Sequence, residues 1–411
     1  NRIMANSFLT DDMITLEALD IFTNSLAAAN HCDRKFEGLF GQRDGLSNTS
    51  SSIRIRKPNQ YTVRTGATFS AQDITDASVT LTIGTQIGVD TSITSSAMAL
   101  SLSSFSEQII RPQVTLLANY VDRAILSGAY TDVYNSVGTP GTIPTALSTY
   151  LDAGAKLDEY ACPRDGQRAM VIGPQMQSNV VDALKGLFQN DSKISSQFDT
   201  GEMGKAVGFN WQMDQNVTSH TAGALGGTPL IKGTISTGAT TITTDGWTAS
   251  TAVIKEGDVF TIADVNSVNP VSKGDTGNLQ QFVVTADGTS DGSGDLTISI
   301  SPSIISTGAT QTVSALPADN AALTFAAGVS AVAAQGMAWH KSAIALAFAE
   351  LQKPAGVDQA SVKTDKQIGV SMRFVRQWDV DSDTFKSRFD VLFGFKVLRP
   401  EWVCRVQSGA A

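Results

Sequence analysis

Phe385-Lys-Ser-Arg-Phe-Asp-Val-Leu-Phe-Gly-Phe-Lys-Val397 carries apolar side chains at Phe385, Phe389, Val391, Phe393, Phe395 and Val397, with Lys386, Arg388, Asp390 and Lys396 between them. Strict alternation over this length predicts a long strand with one buried and one wetted face. The preceding segment repeats the pattern, with Val370, Met372, Phe374, Trp378 and Val380 on one face and Ser371, Arg373, Gln377 and Asp379 on the other. Asp381-Ser382-Asp383 joins the two, and short polar residues there predict a hairpin turn. A long hairpin leading into Arg399-Pro400-Glu401 suits a chain that tiles a surface better than one that encloses a small substrate.

Working outward, 411 residues with 42 % hydrophobic and only 17 % charged side chains predict two or three units with real cores. No run of 18 apolar residues occurs, which argues against a membrane-spanning helix. Met4-Ala5-Asn6-Ser7 reads as a translation start, with no basic-then-apolar leader after it. Cys32, Cys162 and Cys404 are far apart and have no metal spacing, so reduced thiols in a cytosolic product are expected. The net charge is −9, and residues 220–325 hold most of it, with nine acidic against three basic side chains. No arginine occurs between Arg168 and Arg373. A chain built to grip nucleic acid would gather Lys and Arg on one face, so sequence-reading of DNA is not expected.

Thr10-Asp11-Asp12 ahead of Met13, Ile14, Leu16, Ala18, Leu19, Phe22 and Leu26 predicts an amphipathic N-terminal helix. From 53 to 89 the chain alternates again, with arms Ile53-Arg-Ile-Arg56 and Val79-Thr-Leu-Thr-Ile83 around a polar centre. The expectation is a protruding ribbon with arms of roughly ten residues, about 35 Å long, needing a neighbouring chain for support. Leu102, Phe105, Ile109, Val114, Leu117, Val121 and Ile125 predict a helix over 102–127, either kinked at Pro112 or starting there, with Gly128 as its stop. Residues 130–220 read as α+β, including a buried strand Arg168–Gly173 and a helix Pro174–Phe188. From about 221 to 325 only short strands alternate with Gly, Asp, Asn and Ser, among them Thr234–Thr237, Thr241–Thr244, Ala252–Ile254, Val259–Ile262, Gln281–Thr285 and Leu296–Ile300. That texture predicts a small closed barrel or sandwich inserted into another domain, because α+β patterning resumes at Ala331.

Chemical motifs are sparse. Gly201-Glu-Met-Gly-Lys205 is no phosphate loop, because Asp199 and Ala206 stand where Gly and Ser/Thr belong. Asp287, Asp291 and Asp295 are spaced by four, wrong for a calcium loop, and read as turn residues. His31, His220 and His340 are scattered, and His340 beside Trp339 reads as packed. No catalytic residue, cofactor or metal ligand is therefore assigned, and the expectation is a non-enzyme.

The order of elements resembles the major capsid proteins of tailed double-stranded DNA phages with the HK97 fold, and among them the P22 coat protein family with its insertion domain. Met13-Ile-Thr-Leu-Glu-Ala-Leu-Asp20 is similar to that family's arm helix, and Ile110-Arg-Pro with Leu117-Ala-Asn-Tyr-Val-Asp-Arg123 to its spine helix. Gly208-Phe-Asn-Trp and Asp214-Gln-Asn-Val217 resemble the entry to the insertion. Lys255-Glu-Gly-Asp258, Val265-Asn-Ser-Val-Asn-Pro270 and Thr276-Gly-Asn-Leu-Gln-Gln-Phe-Val-Val284 resemble the insertion itself, and Val397-Leu-Arg-Pro-Glu401 the closing strand. The resemblance spans nearly all of 4–407.

It implies an α+β HK97-like capsid fold with an inserted all-β barrel-like domain. Residues 4–49 would be an N-terminal arm, 50–90 the extended β-hairpin loop, and 91–129 the peripheral domain with its spine helix. An axial domain would take 130–220 and 327–366, the inserted domain 221–326, and the C-terminal long strands 367–411. The implied function is a major capsid protein whose copies form hexamers and pentamers of an icosahedral head around a scaffolding protein. A portal protein at one vertex, a possible decoration protein and enclosed double-stranded DNA would be its other partners, in a virion assembled in the bacterial cytoplasm. Arg54, Arg56, Lys57 and Arg64 of the ribbon, and Asp258 and Asp264 of the acidic insertion, are the candidate inter-subunit contacts. Some HK97-like shells carry a Lys–Asn crosslink, for which Lys57 and Asn119 would be candidates, although the P22-like group does without one. An encapsulin-like compartment is the alternative; its shells are compact, and the large insertion argues against it. A secreted adhesin and a hydrolase are remoter.

Overall fold

The computed structural model describes residues 11–36, 40, 51–69, 71–72, 77–94, 110–184, 204–365 and 370–409. Strand outweighs helix, 41 % to about 20 %, in two compact units.

The first unit comprises Asn1–Ile55, Ser78–Ile125 and Ala345–Lys396. Its sheet is built on the C-terminal hairpin, with strands Ser371–Asp379 and Thr384–Val397 in register from Arg373↔Asp390 to Asp379↔Thr384. Thr384–Val397 pairs on its other side with Thr85–Thr94, from Thr384↔Thr94 to Phe393↔Thr85. Gln359–Thr364 and Ile344–Ala349 complete five strands. The alternation is met where the strands are covered: Met372, Phe374, Phe389, Val391 and Phe393 are buried. It fails at the turn, where Trp378 and Val380, expected on the buried face, are 43 % and 71 % exposed. On one edge the flanking strand Gln359–Thr364 reaches only as far as Arg376, whereas Thr85–Thr94 follows the other edge to Thr384 at the turn.

The helix Asp11–Ser25 lays Ile14, Ala18, Leu19 and Phe22 against this sheet. The chain leaving that helix is pinned by Asp122, whose buried carboxylate accepts the backbone N–H groups of Ala27 (2.7 Å) and Ala29 (2.8 Å). Asp122 lies on the helix Arg111–Ala129. Its α-helical segment runs from Arg111, directly after a π-helical Ile110, and Pro112 lies in the first α turn. The expected first turns, 102–109, lie outside the described residues. Gly128 is inside the last turn and not a stop; the helix ends at Ala129.

The ribbon is shorter than its alternation implied. Ser52–Arg56 pairs with Ser78–Thr82, five residues each, because Thr85–Thr94 belongs to the hairpin sheet instead. The ribbon's second strand leaves across Gly394, where a Cβ would sit 2.0 Å from the Thr82 carbonyl oxygen.

The second unit comprises Arg56–Ala77, Leu126–Ile344 and Val397–Ala411. Its host sheet orders Ser136–Val137, Val403–Gln407, Val332–His340, Arg168–Ile172, Phe209–Met213 and Lys205–Ala206, with Ser219–Thr221 also paired to Val332–His340. Helices Leu147–Glu159 and Pro174–Leu184 cover it, with Tyr150, Leu157, Met176 and Val180 packed on Met170, Ile172, Phe209 and Trp211. The expected helix end, 185–188, is outside the described residues. Cys162 and Cys404 lie in this core and Cys32 is buried in the first unit; none of the three is in a disulfide. Burial pushes the Cys162 thiol up to about 11 and the Cys404 thiol to about 12.

Between Ser219–Thr221 and Val332–His340 stands the inserted domain. Its main sheet orders six strands, Leu323–Phe325, Val259–Val268, Asp275–Val284, Leu296–Ile304, Ala239–Trp247 and Gly227–Ile231, and Ala252–Ile254 pairs separately with Gly288–Thr289. Hydrogen bonds from Ile231 N to Ala321 O (2.9 Å) and from Asn320 N to Ile231 O (2.9 Å) bring the last strand back to the first and close a barrel. Phe260, Phe282, Ile242, Ile298 and Trp247 fill it. Thr234–Thr237 is not a strand. Gly233 and Gly238, both at positive φ, bend the chain there, and Gly227–Ile231 supplies the strand instead, although Ile235 still points into the core.

Gly394→Ala should weaken the first unit by roughly 1–3 kcal/mol or more, since backbone must move to admit the methyl. Urea unfolding followed by circular dichroism reads this, and an unchanged midpoint would refute the close crossing.

Candidate functional site: the joint between host sheet and inserted barrel

The barrel is attached to its host by more than two linkers. Asp258 sits in the turn entering the strand Val259–Val268, with only 2 % of its surface exposed. Its carboxylate accepts from His220 Nε2 (2.9 Å), Gly223 N (3.1 Å) and Lys255 N (2.8 Å). With Nε2–H donated to the carboxylate, the other ring nitrogen, Nδ1, faces the Tyr130 hydroxyl at 3.4 Å. Burial raises the Tyr130 phenol above its ordinary range, so it stays a donor. Gly257 is wedged in the same place: its φ is +94°, and a Cβ would meet Tyr130 at 3.0 Å and His220 at 3.3 Å.

Arg405 closes the arrangement from the host side. It lies in the strand Val403–Gln407, fully buried, and its Nη1 donates to Gly257 O at 2.8 Å while the guanidinium lies 5.8 Å from the Tyr130 ring centroid. Among the described residues Nε and Nη2 find no acceptor. Burial pushes the guanidinium down to about 10, still charged at neutral pH.

A second patch is built mainly on side-chain amides. Gln281 Oε1 accepts from Ser136 N (2.8 Å) and its Nε2 donates to Ser136 O (2.9 Å). One side-chain amide thus takes the place of a neighbouring strand at the edge Ser136–Val137 and blunts it. Tyr160 donates to Gln280 Oε1 (3.0 Å), and Asn278 Nδ2 to Glu159 Oε1 (2.7 Å). Tyr134, Val259 and Val283 pack between these contacts with Tyr160. Two polar patches around an apolar centre hold a rigid body at a fixed angle, because hydrogen bonds specify direction where apolar contact does not.

The predicted contact residues fall in different places. Arg54, Arg56 and Arg64 are exposed on the ribbon and Lys57 is half-buried there; Arg54 donates to Ser78 Oγ (2.9 Å) and Arg64 to the Gly66 carbonyl. Asp264 is exposed on the barrel, at φ +61° in a bulged strand. Asp258 is corrected: its carboxylate is buried and its acceptor sites are taken within the chain, so it is a part of the joint and not a surface charge. Arg405, Tyr130, Gln280 and Gln281 were not singled out from sequence. Arg405 has a legible sign, one cation inside Val403-Cys-Arg-Val-Gln407, all buried. The glutamines have none.

Other candidates resolve as local structure. Asp291 Oδ1 accepts from Ser293 N (2.8 Å) and Asp295 N (2.9 Å), as a turn residue does. His340 is buried, with Nδ1 2.7 Å from Ser342 Oγ and its ring edge-on to Trp402. A cavity of about 510 Å³ beside the helix Leu147–Glu159 is lined by Asp158, Arg164 and Arg168, and both arginines already donate to Asp158. Among the described residues no group of three or more His, Cys, Asp or Glu side chains could hold a metal ion, and no helix is long and apolar enough to cross a membrane.

A barrel inserted in an α+β host and mounted on it by buried polar contacts, in a chain with a paired ribbon and a long C-terminal hairpin, is the layout of an HK97-like capsid subunit with an insertion domain. The family model described as P22 coat protein, gene protein 5, matches residues 4–407, and the chain belongs to that family. It is a shell-forming coat protein of the phage virion. Among solved structures it is similar to a chain of Mycobacterium phage Che8 (15 % identity, 93 % of this chain and 90 % of that one, TM-score 0.47). It is also similar to the capsid of Ralstonia phage GP4 (8 %, 94 % and 88 %, TM-score 0.44) and to a virus-like particle from Pyrococcus furiosus (7 %, 96 % and 97 %, TM-score 0.39). No curated protein sequence matches it. The family match favours the phage coat over the encapsulin-like alternative.

Asp258→Ala strips the acceptor from three donors and should cost about 3 kcal/mol or more. Arg405→Met, which replaces a poorly solvated buried cation with an apolar chain of similar length, should cost under about 1.5 kcal/mol or stabilise. Urea titrations of both variants test the pair; equal large losses would contradict this account of the joint.

Proposed function

We propose that copies of this chain form the hexamers and pentamers of an icosahedral head, assembled in the bacterial cytoplasm around a scaffolding protein. One vertex would hold a portal protein and the interior double-stranded DNA, with a decoration protein as a possible external partner. The assembly role involves no catalysis. Residues 4–49 serve as the arm and 50–90 as the extended loop, with the spine in 91–129 and the long strands in 367–411. Residues 130–220 and 327–366 form the axial domain, and 221–326 the inserted one.

The observation that carries this reading is the ribbon. Tyr61, Val63 and Phe69 are 55 %, 94 % and 83 % exposed at its far end. Lys57 N bonds to Ala77 O, and Thr62 is clipped to Gln72 by paired hydrogen bonds (2.8 and 2.6 Å), so the exposed residues sit on an ordered arm. Two short strands are marginal alone, and large apolar groups held out in water mark an interface. A neighbouring copy supplies the missing cover. The net charge of −9 suits a container that must not bind its DNA tightly.

Co-expression with a scaffolding protein, followed by electron microscopy and absorbance at 260 and 280 nm, should show closed empty shells, and phage heads should show the same shell filled with DNA. Particles filled with an enzyme cargo, or no particles under any scaffold condition, would reject the reading.

A further inference from the structure

We propose that the joint between host sheet and barrel holds a buried water, which bridges the Arg405 guanidinium to the side-chain oxygen of Gln407. The site is independent of the shell reading above.

Arg405 and Gln407 stand two residues apart on the strand Val403–Gln407, so their side chains leave the same face of the host sheet. Gln335 pairs with Gln407 on the neighbouring strand, and Ala333 of that strand pairs with His220, which puts the imidazole of the joint on this face too. Arg405 is fully buried and Gln407 is 3 % exposed. Nη1 of Arg405 is spent on Gly257 O. Among the described residues its Nε and Nη2 meet no acceptor, and Gln407 Oε1 meets no donor. Gln407 Nε2 lies 3.5 Å from Gln335 Oε1, at the outer limit of a hydrogen bond, and Gln335 Nε2 is turned to Ala333 O at 3.0 Å. Exchanging the two amide atoms of Gln407 would set its oxygen against that of Gln335, so the oxygen belongs where it is. Unpaired donors and an unpaired acceptor thus leave one face of one strand, all out of reach of bulk solvent.

Buried polar groups are paired in native interiors, by protein or by ordered water, and a charged group left unpaired is the costliest exception. The chemistry of the set selects the occupant. A cation is repelled by Arg405. An anion such as chloride could accept from the guanidinium, but it would face the Gln407 oxygen with nothing to donate. Asp258, next in sequence to the Gly257 carbonyl that Arg405 holds, already supplies a counter-charge. Water alone among these both accepts from Nε or Nη2 and donates to Oε1. The spacing suits it: residues two apart on a strand lie about 6.8 Å from each other, and two hydrogen bonds through one water span roughly 5–6 Å. Held this way, the guanidinium keeps one nitrogen on the barrel while the rest are tied to the host strand, so the water helps aim Arg405 at Gly257.

The direct test is a structure of the full chain at a resolution that shows ordered solvent, with a bromide soak as the probe for an anion. A water peak within about 3.2 Å of both Gln407 Oε1 and either Nε or Nη2 of Arg405 is expected, and no bromide signal. A peak touching only one of the two residues, a dry contact between them, or bromide in the site would overturn the proposal. Urea unfolding of Q407M, R405M and R405M/Q407M gives a second measurement. Q407M alone takes away the acceptor and leaves the guanidinium unpaired, so it should lower the folding equilibrium constant about fivefold or more. In the R405M background, where the donors are gone too, the same change should cost little or nothing. Equal losses in the two backgrounds would overturn the bridge.

Discussion

Thr384–Val397 is bonded along both edges, and its two sides are filled unequally. On one side Thr85–Thr94 runs beside it for ten residue pairs; on the other Ser371–Asp379 pairs with the half near the turn. A strand in that position cannot slip by one residue without sending Phe389, Val391 and Phe393 into water. Gly394 lets the ribbon's base cross it at a distance no side chain would tolerate. The ion pairs Arg373–Asp390 and Arg388–Asp90 tie it to its two neighbours near the middle of the sheet. The N-terminal helix and the start of the ribbon all take their place from this one register.

The second unit obeys a different constraint. A closed barrel has no edges to offer, so it cannot be joined to its host by strand pairing alone. The chain uses side chains instead. Gln281 imitates a strand neighbour for Ser136, and Asp258 gathers donors from the stem and its own turn, while Arg405 reaches across from the host sheet. Burying Asp258 and Arg405 is costly in isolation and makes sense where orientation matters more than stability. A shell subunit, whose inserted domain must present the same surface in every copy, is such a case.

Much of the fold was readable because periodicity reports burial. The N-terminal helix, the hairpin, the barrel and the boundary between barrel and host all follow from apolar spacing and from the shift to Gly, Asp and Ser between strands. Periodicity does not report which partner a strand takes. Thr85–Thr94 alternates whether it pairs with the ribbon or with Thr384–Val397, and Trp378 keeps its phase although it is 43 % exposed. The joint was less legible for a related reason. Asp258 read as one more surface acid in an acidic domain, since only the fold brings His220 and Gly223 to it. Gln280 and Gln281 look like any polar pair in a strand. Arg405 alone broke a pattern.

The central claim is that a single chain is incomplete and that its ribbon is finished by a second copy. Hydrogen–deuterium exchange on the unassembled chain and on closed shells measures this directly. The account predicts that amides of residues 57–69 exchange fast in the free chain and gain protection on assembly, while the barrel strands Val259–Val268 and Asp275–Val284 are protected in both. Equal protection of the ribbon before and after assembly would contradict it.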